Sequence, residues 1–124
     1  MAGTRKNILW EKAYALAVKI IRECFDIQRK KHEYILTKQL IRSIWSVCAN
    51  LEEAYANQSD RDCIAKLYIS FKEARESHLW IRLMHDTGKL ETHKQDEFCN
   101  EIVEVRKMLF STIRTKKRRM WEGI

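Results

Sequence analysis

The stretch SDRDCIAKLYISFKEARESHLWIRLMHDTGKL, residues 59–90, decides the fold. Ile64, Leu67, Phe71, Ala74, His78 and Ile81 follow one another at steps of three or four, the spacing that keeps side chains on one face of an α-helix. Ser59 with Asp62 three residues on is a weak capping box, and Gly88 supplies a stop, so the segment reads as one helix over about 60–87.

The same period extends in both directions. Leu36, Leu40, Ile44, Val47, Leu51 and Ala54 mark a helix over 33–56, closed by the polar run Asn57 to Asp60. Leu9, Ala13, Leu16, Ile20, Cys24 and Ile27 mark another over 7–31. Downstream, Thr92 with Gln95 matches a capping pattern, and Phe98, Ile102, Val105, Leu109 and Ile113 form a stripe over 93–115 that fades into a basic tail, 114–119. Four amphipathic helices joined by short loops must run antiparallel to their neighbours. The expected fold is all-α, an up-down-up-down antiparallel four-helix bundle, with residues 1–124 forming a single domain.

Composition agrees. The chain has 124 residues, no proline and three glycines, too few turn residues for most β architectures. Its 45% hydrophobic content is too high for a disordered tail, and no apolar run approaches the roughly 20 residues of a membrane span. Met1 to Thr4 carries none of the features of a secretory signal, so a cytoplasmic location is expected and no membrane partner. Cys24, Cys48, Cys63 and Cys99 are widely spaced without a Cys-x-x-Cys pair, which suits reduced thiols.

Catalytic constellations are missing from the pattern. No glutamate is followed by histidine three residues on, as a di-iron bundle needs. There is no Gly-rich phosphate loop, nucleophile elbow or His-Glu-x-x-His motif. His78 and His85, seven residues apart, could bind a metal with a cysteine. The simpler reading makes His78 a hydrogen-bonded core or interfacial residue and the cysteines small buried hydrophobes. Glu53, His32 and His93 could converge from different loops, but such scattered groups occur in most inert bundles. No enzyme, cofactor or metal is expected.

Charge is the stronger signal. There are 24 Lys and Arg against 17 Asp and Glu, a formal net charge of +7. Helix four opens acidic and then runs from Arg106 to Arg119 with Arg106, Lys107, Arg114, Lys116, Lys117, Arg118 and Arg119 uninterrupted by an acid. Part of this is matching to the helix dipole. The clustering nonetheless creates a field that attracts phosphates, so RNA or DNA is the expected partner, held through Arg5, Lys6, Lys12, Arg106, Arg114, Lys116, Lys117, Arg118 and Arg119. No readout module is recognisable, which leaves backbone phosphates or shape as the basis of binding.

Trp10, Trp45, Trp80 and Trp121 with four tyrosines are more large aromatics than four thin stripes enclose in a monomer. Some should line a subunit or partner interface, with Trp10, Trp80 and Met84 the candidates.

Three segments, ILWEKAYALAVKII (8–21), LTKQLIRSIWSVCANLEEAY (36–55) and residues 59–90, resemble a bacterial four-helix-bundle family. It comprises proteins encoded in ribosomal RNA intervening sequences and the accessory variability determinants of diversity-generating retroelements. The matching details are Trp10, Lys12 and Ala13, then Leu36, Thr37 and Gln39, then Asn50 and Glu53, and finally Glu73 and Glu76. The sequence departs from the common pattern at Cys48, where relatives have proline, and at Ala54, where they have glycine, which makes helix two more continuous. The resemblance implies a homo-oligomer, a pentameric barrel of bundles with a positive surface that binds RNA or DNA. For the retroelement branch it also implies docking to a reverse transcriptase during mutagenic complementary-DNA synthesis. The leading expectation is thus a non-catalytic nucleic-acid-binding accessory of a retroelement reverse transcriptase; the alternative, to whose ribosomal branch the Trp10 motif is closer, is a bundle that acts as a protein-interaction scaffold through its aromatic, Trp80-bearing face.

Overall fold

The computed structural model describes residues 7–56 and 59–123. Four helices account for nearly all of them: α1 (Ile8–Lys31), α2 (Ile35–Ala56), α3 (Asp60–Asp86) and α4 (Thr92–Glu122). There is no strand among the described residues. Each helix packs on two others, α1 on α2 and α4, and α3 on α2 and α4, which closes the four into a ring.

Local chemistry sets the ends. Asn7 caps α1 by accepting from Trp10 N at 2.9 Å, and His32 ends it in the left-handed region at φ 56°. Glu33 then caps α2, its carboxylate accepting from the amides of Ile35, Leu36 and Thr37 at 2.9–3.0 Å. Burial works against this charge, but the three amides outweigh it and hold the Glu33 carboxyl below the usual carboxylate range. Ser59 caps α3 by accepting from Asp62 N at 3.1 Å. At the other end of α3, Lys89 N donates to Met84 O and Gly88 N to His85 O, with Gly88 at φ 81°, the paired bonds of a Schellman turn.

The core is the stripe set read from sequence, with polar insertions. All the stripe residues of α1 and α4 are buried, joined on α1 by Ala17. On α2 and α3 the buried face also holds Thr37, Ser43, Ser70, Glu73 and Ser77. Ser43 Oγ and Ser77 Oγ lie 2.8 Å apart, and Ser70 Oγ donates to Val47 O at 2.9 Å. Small hydroxyls at these positions let α2 and α3 approach closely while every buried oxygen keeps a partner. Phe71 and His78, expected on the core stripe of α3, are only half-buried, because the face has rotated toward these serines.

The antiparallel arrangement of α1 and α4 is written in ion pairs. Lys12 meets Glu104 at 2.8 Å, Lys19 meets Glu101 and Glu97, and Glu23 meets Lys94, so ascending α1 descends α4. Hydrogen bonds from Lys19 hold the Glu97 carboxyl below its ordinary range.

Two expectations need correction. Residues 114–119 are not a tail: α4 continues as helix through Glu122, and Met120 packs on the core. Thr92 does not cap α4. Its hydroxyl pairs with His85 Nε2 at 3.0 Å, and Glu91 occupies the cap position without a side-chain bond.

Candidate nucleic-acid interface

The outer groove between α3 and α4 collects cations and rings. From α3 come Tyr68, Arg75 and Arg82 at intervals of seven residues, so one side of the helix carries all three over about 21 Å. Phe71 and His78 lie beside them. From α4 come Arg106, Phe110, Arg114 and Lys117, again at steps of three or four.

Their contacts interlock. Arg106 Nη1 donates to His78 Nδ1 at 2.9 Å, which fixes the neutral ring with its proton on Nε2. The Phe71 and Phe110 rings are 6.2 Å apart. Arg114 lies over the Phe110 ring at 5.8 Å, and Lys117 sits beyond the edge of Tyr68, donating to its hydroxyl at 3.1 Å.

No ion pair crosses or enters this groove among the described residues. Among the described residues none of Arg75, Arg82, Arg106, Arg114 and Lys117 makes an ion pair; other cations, Lys38, Lys66 and Lys107 among them, are also unpaired, and what sets these five apart is that two helices bring them to one groove. The cations also act on one another's neighbours. Burial, then Arg82 and Arg106, push the His78 imidazole below its ordinary value. Burial with Arg75 and Arg82 likewise lowers Arg106. Positive charge has been concentrated here at an electrostatic cost, and Arg106 Nε is buried without a hydrogen-bond partner among the described residues.

Of the residues expected to hold nucleic acid, the groove therefore gathers Arg106, Arg114 and Lys117. Lys116 and Arg119 face elsewhere, onto an open surface hollow lined also by Asn7, Tyr55 and Met108 at the start of α1. Arg118 is exposed on α4. Lys12 is engaged by Glu104 on the α1–α4 side and is not part of the groove. Arg5 and Lys6 lie outside the described residues. Arg75 and Arg82 were missed because they flank an apolar stripe within a segment of mixed charge; their heptad spacing with Tyr68 was the available signal.

The interface candidates fare unevenly. Met84 is 0% exposed and belongs to the core, contrary to expectation, because the turn of α3 that carries it faces inward. Trp80 is half-buried with its indole N–H buried and unpartnered among the described residues. Trp10 is half-buried and stacks on Tyr14 at 4.9 Å. The large apolar groups most open to solvent are others: Ile35, Trp121, Ile8 and Trp45. His78 and His85 do not converge on a cysteine. His85 is held between Asp86 and Thr92, and no group of three or more potential metal ligands occurs among the described residues.

All four cysteines are free. Burial pushes the Cys24 thiol up to about 12 and the Cys48 thiol up to about 11, which leaves both protonated at neutral pH. No helix among the described residues is long and apolar enough to cross a membrane.

These features define a class: a four-helix antiparallel bundle with a basic groove between α3 and α4. The comparisons name the family. The model described as 23S rRNA-intervening sequence protein matches residues 5–111, and the chain belongs to that family. It is also similar to a crystal structure of a protein with unknown function from the S23 ribosomal protein family of Bacteroides thetaiotaomicron. The identity is 32% and the TM-score 0.83, over 86% of this chain and 98% of the other. No curated protein matches the chain. Arg75, Arg82 and Arg106 fall inside the family match; Arg114 and Lys117 lie beyond it.

Proposed function

We propose that this protein is a non-catalytic, RNA-binding scaffold of the ribosomal intervening-sequence class, which holds nucleic acid along the α3–α4 groove. The observation that carries the reading is the convergence of five cations from two helices, Arg75, Arg82, Arg106, Arg114 and Lys117, on one groove in which, among the described residues, none of them makes an ion pair. Such a field attracts phosphates and supplies affinity without sequence readout. The family match favours the ribosomal branch over the retroelement accessory role, and docking to a reverse transcriptase draws no support from it.

The scaffold half of the reading rests on different residues. Trp45 is 61% and Ile35 78% exposed on α2, large apolar side chains left open to solvent. A homo-oligomer, the pentamer implied by the resemblance, would cover such groups and multiply weak RNA contacts.

Native mass spectrometry of the purified protein, with and without a short RNA hairpin bearing a single-stranded overhang, tests both halves. An oligomer that retains RNA at low salt and releases it at moderate salt is the expected result. A monomer that ignores RNA would overturn the reading.

A further inference from the structure

We infer that the α3–α4 groove is a site for single-stranded nucleic acid, in which the arginines hold phosphates and the Phe110 and Tyr68 rings stack on unpaired bases. This rests on the proposed RNA-binding function and specifies its ligand.

The groove differs from a plain basic patch in its rings. Phe110 is 53% and Tyr68 47% exposed, and neither is part of the buried core. Each has a cation beside it, Arg114 over the Phe110 ring and Lys117 at the Tyr68 hydroxyl, so ring and charge are presented together. Lys117 also fixes the Tyr68 hydroxyl, and Phe71 buttresses the edge of Phe110, which holds both rings in place before any ligand arrives. Leaving a phenylalanine half in water has a cost that base stacking would recover.

Beyond the rings, Arg75 and Arg106 at mid-bundle and Arg82 near the end of α3 continue the positive field. Rings at one end and guanidiniums along the rest form a track on which successive nucleotides place bases on the former and phosphates on the latter. A single strand can do both at once, because its bases turn freely away from its backbone. A duplex keeps its bases stacked and offers the groove only phosphates and sugar edges. An acidic polypeptide would satisfy the cations but has no planar faces for the rings.

The test uses fluorescence anisotropy of the full chain at low salt. The probes are a labelled single-stranded RNA of mixed sequence, the same strand annealed to its complement, and polyglutamate as competitor. The wild-type protein should bind the single strand at least tenfold more tightly than the duplex, and polyglutamate should compete poorly. Phe110→Leu together with Tyr68→Leu should weaken single-strand binding about tenfold or more with little effect on the duplex. Phe110→Tyr, which keeps a ring, should restore most of the loss relative to Phe110→Leu. Circular dichroism melts confirm that the variants fold. Equal affinity for single strand and duplex, with the leucine variants unchanged, would overturn this inference and leave phosphate binding intact. Effective competition by polyglutamate at equal charge would also overturn it. No binding to either RNA would overturn it along with the proposed function.

Discussion

Replacing Arg75 and Arg82 by glutamine should flatten the salt dependence of RNA binding. Both are exposed on α3, neither makes an ion pair among the described residues, and neither contributes to the core, so the fold should tolerate the change. For single strands, log affinity falls with log salt by about 0.7 for each phosphate neutralised. Five groove cations acting together therefore give a slope of about −3.5, and affinity drops by about 100-fold between roughly 50 and 200 mM salt. With two cations removed the slope becomes about −2, and the same increase in salt costs only about 20-fold. Filter binding or anisotropy at four or five salt concentrations reads the slope directly. Comparable substitution of Lys12 and Lys19, which are committed to Glu104 and to Glu97 and Glu101, should change the slope little. A double arginine variant with the wild-type slope would refute the assignment of the groove, and so would a lysine variant that flattens it more.

Other consequences follow from the same geometry. Met84→Ala should cost about 2–5 kcal/mol in chemical unfolding while leaving assembly unchanged once the protein is folded, because Met84 is wholly enclosed. Its loss as an interface residue would show instead as a concentration-dependent dissociation. Glu33→Gln should cost about 1 kcal/mol at neutral pH through the lost cap on α2. The folded carboxyl lies below its ordinary value, so this stabilisation is full above the ordinary carboxylate range and is lost as pH falls through the folded value. Wild type and variant should therefore converge in unfolding experiments only in acid below the ordinary carboxylate range, once the folded Glu33 carboxyl is protonated. His78 should titrate below an ordinary histidine in the free protein and higher with RNA bound, since phosphates offset Arg82 and Arg106. Binding would then take up protons and tighten as pH falls toward 6; an NMR titration showing no change on RNA addition would count against phosphates near His78.

Much of the bundle was legible in the sequence because burial repeats at the helical period. The stripes of α1 and α4 fixed their inward faces residue by residue, and Ser59 and Gly88 marked the limits of α3. Where the reading slipped, polar residues had taken core positions. Ser70, Ser77 and Glu73 look like surface residues in a linear scan, yet hydrogen bonding to α2 pays for their burial and turns Phe71 and His78 partly outward. The end of α4 was misread for a related reason: Lys116 to Arg119 lack an apolar stripe, but helix propensity and the packing of Met120 carry the helix on.

The site was half legible. A run of basic residues on α4 stands out by itself, whereas Arg75 and Arg82 acquire meaning only when α3 is laid beside α4. Conversely, Lys12 looked available in sequence and is spoken for across the α1–α4 contact. Pairing between helices decides which cations remain to meet a ligand, and a one-dimensional charge count does not contain that information.

The most direct test is NMR chemical-shift mapping of the labelled protein titrated with single-stranded RNA at low salt. The largest changes should follow residues 68–82 of α3 and 106–117 of α4, including the Phe110 ring and the His78 imidazole. Changes concentrated on the outer faces of α1 and α2, around Tyr14 and Trp45, would contradict the account.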